Sequence, residues 1–211
     1  MIRLNVVQGT PEWEMARLGI PTASSFKRIL TAKTLKLSSS AGEYRNQLLA
    51  EWLTGMPLEF GGGPNTLMQR GTGMEAEARM FYELQYDVPE VEQVGFLLRD
   101  DRMAGCSPDG LVGEDGGLEL KCPMMHTHIG YLLDPQSLAD QYAPQVQGCL
   151  YITGRAWWDL VAYHPQLPPV YHRIARDEKY IAALDAALDT FVADLLAARE
   201  QLAPHRLAEA A

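Results

Sequence analysis

Asp109, Glu119 and Lys121 are the residues whose types and spacing point most directly to chemistry. Asp109 stands in Ser107-Pro-Asp-Gly, and the other two stand in Leu118-Glu-Leu-Lys. Side chains alternate across a strand, so Glu119 and Lys121 share one face while Leu118 and Leu120 share the other. Two charged residues on a core strand are unusual unless their face lines a site. Asp109 is expected at the end of the preceding strand. A short hairpin containing Gly113, Gly116 and Gly117 then returns the chain beside it, which sets Asp109 and Glu119 opposite one another. Paired carboxylates suit hard divalent cations, which bind through oxygen. Such cations activate water and neutralise charge on an attacked phosphate and on the leaving oxygen. A lysine beside them can orient or deprotonate the water. The combination is that of phosphodiester hydrolysis, with a plain Glu119–Lys121 salt bridge as the structural alternative.

The elements that must position these residues are legible from periodicity. Gly71 to Tyr86 reads as a helix, with Met74, Ala78, Phe81, Tyr82 and Gln85 at three- and four-residue spacing. It carries Glu75, a third carboxylate able to reach the same metals from the side, although alone it reads as a solvated helix charge. Val94–Arg99 and Met103–Cys106 read as strands around an Arg99–Arg102 turn, and Gly117–Pro123 as a third. Leu138–Ile152 reads as a helix bearing Gln145 and Gln147, amides able to orient water or phosphate. Trp157–Tyr163 and Val170–Ile174 are further strands, and Asp177–Gln201 is a long amphipathic closing helix. Upstream, Thr22-Ala-Ser-Ser-Phe offers hydroxyl caps for a helix through Ile29, and Ser40–Leu53 reads as another. Helices on both sides of strands predict a mixed α/β sandwich.

Composition bounds the class. At 211 residues, one domain spanning 1–211 is the simplest expectation, since domains commonly run to about 100–200 residues. No stretch approaches the roughly 20 apolar residues of a membrane span, and the N-terminus lacks a secretory pattern, which predicts a cytoplasmic protein with no membrane partner. Cys106, Cys122 and Cys149 are odd in number and widely spaced, so they read as small buried side chains. The net charge is −9, yet its distribution matters more than its total. From Arg17 to Arg45 six basic residues face one acid, a balance of +5; from Glu51 to Asp100 three face nine, a balance of −6. Lys27, Arg28, Lys33 and Lys36 therefore read as contacts to a DNA backbone or as a solvated face.

Several motifs, in order, resemble the lambda-type phage exonucleases, also called the YqaJ-like viral recombinase family, within the PD-(D/E)xK nuclease superfamily. They are Ala16-Arg-Leu-Gly-Ile-Pro-Thr-Ala-Ser24, Arg70-Gly-Thr-Gly-Met-Glu75, Cys106-Ser-Pro-Asp-Gly-Leu111, Leu118-Glu-Leu-Lys-Cys-Pro123, Gln145-Val-Gln147 and Arg176-Asp-Glu-Lys-Tyr180. The resemblance runs from about Glu12 to about Arg199. It implies a restriction-endonuclease-like core: a mixed central sheet flanked by helices, with N-terminal helices and a long C-terminal helix. It implies that Glu75, Asp109 and Glu119 ligate two Mg²⁺ ions, for which Mn²⁺ substitutes, with the Leu120 carbonyl helping. Lys121 would handle the attacking water, assisted by Gln147. Arg17, Ser24 and Ser107 would bind a terminal 5′ phosphate, and Met68 would be the wedge separating the last base pairs. The activity implied is 5′-to-3′ digestion of one strand at double-stranded DNA ends, releasing mononucleotides and leaving a 3′ single strand. The partners implied are a ring-shaped homotrimer and a single-strand annealing protein. Pro21 and Pro144 depart from the family pattern, the latter beside the glutamine motif, where it can shift that helix's start.

Other features carry plainer expectations. His126 and His128 form an HxH in an expected loop, with little to suggest zinc. Trp157 and Trp158 read as core rather than as base-stacking platforms, and the closing helix as packed on its own domain. The alternatives are an endonuclease of the same superfamily and a catalytically silent DNA-binding homologue; the full Glu75/Asp109/Glu119/Lys121 set argues against silence.

Overall fold

The computed structural model describes residues 1–58, 66–88 and 90–206, with the side chains of 66–72 left aside. A four-stranded mixed sheet lies at its centre, in the order β6 (Gly110–Val112), β7 (Gly116–Lys121), β8 (Trp157–His164) and β9 (Leu167–Ala175). The β6–β7 and β8–β9 pairs are antiparallel hairpins, whereas β7 and β8 run parallel. Parallel neighbours require a crossover, and two helices supply it: α4 (Met125–Leu133) and α5 (Pro135–Thr153). A separate three-stranded sheet joins β1 (Ile2–Leu4), β4 (Phe96–Leu98) and β5 (Gly105–Cys106), and β2 (Leu30–Thr31) with β3 (Lys36–Leu37) forms a small hairpin. The first two strands read from the sequence thus belong to a sheet of their own, tied to the main one by the bridge between Glu92 and Leu111.

Alternation on β7 and β8 sorts the layers. Leu118, Leu120, Val161 and Tyr163 pack beneath α3 (Thr66–Gln85), against its Ala78 and Tyr82. Leu160 and Ala162 face the other way, toward Tyr131 of α4 and Leu138 of α5. The largest apolar cluster gathers Phe26 of the 3-10 helix Ala23–Arg28, Tyr44 and Leu48 of α2 (Ala41–Thr54), Trp158, and Leu184, Leu188, Phe191 and Leu195 of α6 (Glu178–Leu202). The closing helix therefore packs on its own chain. Trp158 is fully buried, and its ring fills the space a Gly117 side chain would need: a Cβ there would lie 2.3 Å from it. Asp177 caps α6 by accepting from the Lys179 and Tyr180 amides.

Three local readings change. Residues 125–133 form α4 rather than a loop, and His128 is buried there with Nε2 2.8 Å from the Pro168 carbonyl oxygen. On a helix, positions two apart point to different sides, so His126 and His128 share no face. Pro144 lies inside α5, which begins nine residues earlier at Pro135, so the proline does not set that helix's start. An unread helix, α1 (Pro11–Arg17), follows the Thr10 cap, with Pro11 and two acids in its first turn. No helix among the described residues is long and apolar enough to cross a membrane.

Candidate active site

Register brings the two carboxylates together. Gly110 pairs with Leu118, so Asp109, immediately before β6 rather than at the end of the strand before it, stands opposite Glu119. Asp109 Oδ2 accepts the Leu120 amide at 2.6 Å, fixing the carboxylate to the edge of β7. Glu119 is 2% exposed. Its Oε1 accepts from Lys121 Nζ at 2.6 Å and from Gln145 Nε2 at 2.5 Å. Its Oε2 is buried with no hydrogen-bond partner among the described residues. A buried, unpartnered carboxylate oxygen costs free energy unless a cation or donor meets it.

Glu75 comes to the same cleft from α3. Its neighbour one turn on, Arg79, donates from Nη2 to the Asp109 carbonyl oxygen at 3.3 Å. The electrostatics are those of crowded carboxylates. Burial, reinforced by Glu119, raises Asp109 well above the usual carboxylate range despite Lys121 and the Leu120 amide. Burial also raises Glu75, while Arg79 and Lys121 oppose the shift. Burial disfavours the Lys121 ammonium, but Glu119 and Asp109 outweigh it and hold the ammonium above the ordinary lysine value. Its Nζ lies 4.6 Å from the Tyr142 ring centroid. In this geometry Lys121 is a hydrogen-bond donor, which suits orienting a water more than deprotonating one. The salt bridge the sequence allowed is present, and it lies inside the cleft. Among the described residues no three His, Cys, Asp or Glu side chains stand close enough together to hold a metal ion as they are placed. The orphaned Glu119 oxygen, the Asp109 carboxylate opposite it and Glu75 in the same cleft are of the oxygen-donor chemistry that suits a hard divalent cation, Mg²⁺ or Mn²⁺.

The two glutamines of α5 separate. Gln145 reaches Glu119, whereas Gln147 is buried and donates from Nε2 to the Ala175 carbonyl at 2.8 Å. Gln147 Oε1 accepts the Asp177 amide at 3.0 Å. Both ends of its amide are thus spent on joining α5 to β9 and to the start of α6. Gln147, expected to assist the water, is thus engaged away from the cleft, and Gln145 is the glutamine that lines it and reaches Glu119. Gly148 allows α5 this close an approach: a Cβ there would meet Phe26 at 2.7 Å and Ala23 at 3.0 Å, in the 3-10 helix Ala23–Arg28.

That short helix forms the other end of the cleft, which encloses about 1670 Å³ and is lined by Arg17, Ser24, Ser107, Glu75, Asp109, Glu119 and Lys121, among others. Arg17 lies 3.9 Å over the Trp13 ring, and Trp13 Nε1 donates to Ser107 Oγ at 2.9 Å. Thr22 and Ser24 hydroxyls are 3.3 Å apart. Arg17 forms no ion pair within 4.0 Å among the described residues, so the pairing with Glu14 is not made. Its Nε is buried without a partner, and burial pushes the guanidinium below its ordinary value. An arginine in this state suits an incoming anion. Trp13 escaped the sequence reading, although the Thr10-Pro11 cap announces its helix. Of the basic run, Arg28 is spent internally on Gln47, Glu43 and the Tyr44 ring, while Lys27, Lys33 and Lys36 are exposed. Met68 lies outside the described side chains.

Residues 12–156 match the family described as the YqaJ-like viral recombinase domain. Among solved structures, the alkaline exonuclease LHK-Exo from Laribacter hongkongensis is similar at 35% identity, covering 92% of this chain and 97% of that one, with a TM-score of 0.81. LHK-Exo in complex with dAMP is similar at the same identity, covering 92% and 96%, with a TM-score of 0.80. A phage-related exonuclease from Haemophilus somnus 129PT shares the fold at 16% identity, covering 84% and 95%, with a TM-score of 0.67. A search of curated proteins returns no match.

Proposed function

The chain belongs to the YqaJ-like viral recombinase family, and on that footing we propose that it is a Mg²⁺-dependent 5′-to-3′ exonuclease acting on double-stranded DNA ends. The observation that carries this reading is the single cleft lined both by the Glu75, Asp109 and Glu119 carboxylates, with the orphaned Glu119 oxygen, and by Arg17, which makes no ion pair among the described residues. Glu75, Asp109, Glu119 and the Leu120 carbonyl would hold two Mg²⁺ ions, which Mn²⁺ replaces. Bound there, they supply an activated water and neutralise charge on the phosphate. Lys121 and Gln145 orient the water by donating hydrogen bonds on the face they share with Glu119. Arg17, Ser24 and Ser107 hold the terminal 5′ phosphate, and Met68 parts the last base pairs. The mononucleotide dAMP bound to the similar LHK-Exo supports mononucleotides as products. The whole chain, 1–211, acts as one nuclease domain within a homotrimeric ring, and the 3′ strand left behind passes to a single-strand annealing protein in recombination.

Linear duplex labelled at either 5′ or 3′ termini, digested with and without Mg²⁺, tests this. Early release of the 5′ label, only with metal, is expected; early loss of the 3′ label reverses the polarity. The endonuclease alternative predicts cutting of a covalently closed circle, which an end-dependent enzyme leaves intact. A silent DNA-binding homologue would digest neither. Light scattering that found only monomer would remove the ring.

A further inference from the structure

The sequence reading used α3 only as the carrier of Glu75, but the helix is held on the sheet in an unusual way. Its Tyr82 is fully buried and donates to Asp159 Oδ2 at 2.6 Å. Asp159 lies on β8 opposite Leu118, and it too is fully buried. It accepts three further bonds, all from β9: Tyr171 Oη at 2.9 Å, Arg173 Nε at 2.8 Å and Arg173 Nη2 at 2.9 Å. Arg173 in turn lies 3.8 Å over the Trp157 ring. Nearer the site, Tyr163 of β8, also buried, donates to Glu77 Oε1 at 2.7 Å, and its ring packs against Phe81 at 5.1 Å. The helix is therefore tied to one strand at two heights by hydroxyl–carboxylate hydrogen bonds.

These bonds do what the rest of the contact does not. Ala78 and Tyr82 rest on Leu118, Leu120, Val112 and Val161, an apolar surface whose attraction is proportional to area and has no direction. Sliding α3 along it by an ångström changes that attraction little. Hydrogen bonds weaken steeply with misalignment, so they define the height of the helix. The ion pair in this cluster has its Arg173 side chain 51% exposed, and a pair with one partner in solvent adds little net stability. The Asp159 cluster is thus better suited to placing a helix than to stabilising the fold. Glu75 lies seven residues before Tyr82, about two turns, on the same side of α3. Its side chain lines the same cleft as Asp109 and Glu119.

We propose that Tyr82 and Tyr163 are positioning residues for Glu75, their hydrogen bonds to Asp159 and Glu77 setting α3 at the height where Glu75 reaches the divalent cation held by Asp109 and Glu119. The inference rests on the metal-site reading above. Tyr171 supplies an internal control: its hydroxyl makes the same kind of bond to the same carboxylate from the sheet, while its ring stacks on Tyr86, just past the end of α3, at 4.6 Å, a contact that Tyr171→Phe keeps.

Calorimetric titration of Mn²⁺ into the 211-residue chain without DNA, alongside thermal unfolding, tests the assignment on Tyr82→Phe, Tyr163→Phe, Tyr171→Phe and Glu75→Gln. Outer-shell supports of metal ligands commonly act on affinity by about 10–100-fold, and about tenfold weaker Mn²⁺ binding is expected for Tyr82→Phe. Tyr163→Phe should weaken binding in the same direction, and it carries the test if Tyr82→Phe does not fold. Tyr171→Phe should lower the unfolding midpoint as Tyr82→Phe does, with wild-type Mn²⁺ affinity. Wild-type affinity in both helix-tie variants, beside weakened binding in Glu75→Gln, overturns the positioning role alone. Equal weakening by Tyr171→Phe overturns it as well, by reducing the effect to general stability. Unchanged binding in Glu75→Gln removes Glu75 from the metal site, and the inference with it.

Discussion

Gln145 Nε2 and Lys121 Nζ both donate to one oxygen of Glu119, at 2.5 Å and 2.6 Å, and leave the other oxygen without a partner. The two donors come from different elements, α5 and β7, and converge on the same buried carboxylate. They hold it in one orientation, with Oε2 free of protein donors among the described residues.

This convergence predicts that the two glutamines behave oppositely on mutation. Gln145→Ala should slow digestion strongly while leaving the unfolding midpoint near wild type. Gln147→Ala should destabilise by about 1–3 kcal/mol, since it leaves the Ala175 carbonyl and Asp177 amide unpaired, and should leave the rate per folded molecule near normal. Rates and thermal midpoints measured on both variants check this; the reverse pattern would restore the catalytic role to Gln147.

Lys121→Ala should reduce cleavage by about 10²–10⁴-fold while DNA-end binding persists, the range expected for a water-handling group. Glu119→Gln and Asp109→Asn should act through loss of metal instead. Excess chelator should abolish activity, and Ca²⁺ should bind yet support little cleavage, because its larger radius and looser coordination misplace the water. Single-turnover digestion with each variant, and binding in Ca²⁺, separate these effects. Full activity in chelator would end the metal assignment.

Arg17→Ala should slow digestion of 5′-phosphorylated ends and barely affect 5′-hydroxyl ends, narrowing the gap between them. Arg17 is stacked on Trp13 and partly buried, and its removal breaks no ion pair among the described residues that would affect all ends alike. Initial rates on both kinds of end decide it. An equal slowing on the two would mean that Arg17 does not read the terminal phosphate.

Stability should fall at high pH in a definite window. Burial pushes the Tyr131 and Tyr180 phenols up to about 12, and the hydrogen bond to Glu77 does the same for Tyr163. A folded value above the ordinary 10.0 means the neutral form is favoured by folding. That contribution is fully present below pH 10 and is lost as pH rises toward 12. Thermal midpoints should therefore be insensitive to these groups up to about pH 9 and decline above pH 10. Tyr163→Phe should soften the decline; an identical curve would show that Tyr163 does not contribute.

The chemistry on β7 was determined by the sequence, because a strand's two-residue period assigns faces without tertiary information. That period alone set Glu119 and Lys121 together and Leu118 and Leu120 beneath α3, and the glycine hairpin brought Asp109 opposite. The long helices were legible for a similar reason: Leu184, Leu188, Phe191 and Leu195 repeat at helical spacing. Local pattern had no means of choosing between Gln145 and Gln147. Two residues on, a helix has turned by about 200°, so only one of the pair can face β7, and which one depends on how α5 packs. Gly148 against Phe26 and Ala23, and Gln147 against Ala175, decide that packing. Asp159 was hidden in the same way: inside Trp157-Trp-Asp-Leu it is an ordinary charge in an apolar strand. Its partners Tyr82, Tyr171 and Arg173 meet it only when α3 and β9 close on β8, because a buried carboxylate takes its role from donors that arrive from elsewhere in the chain.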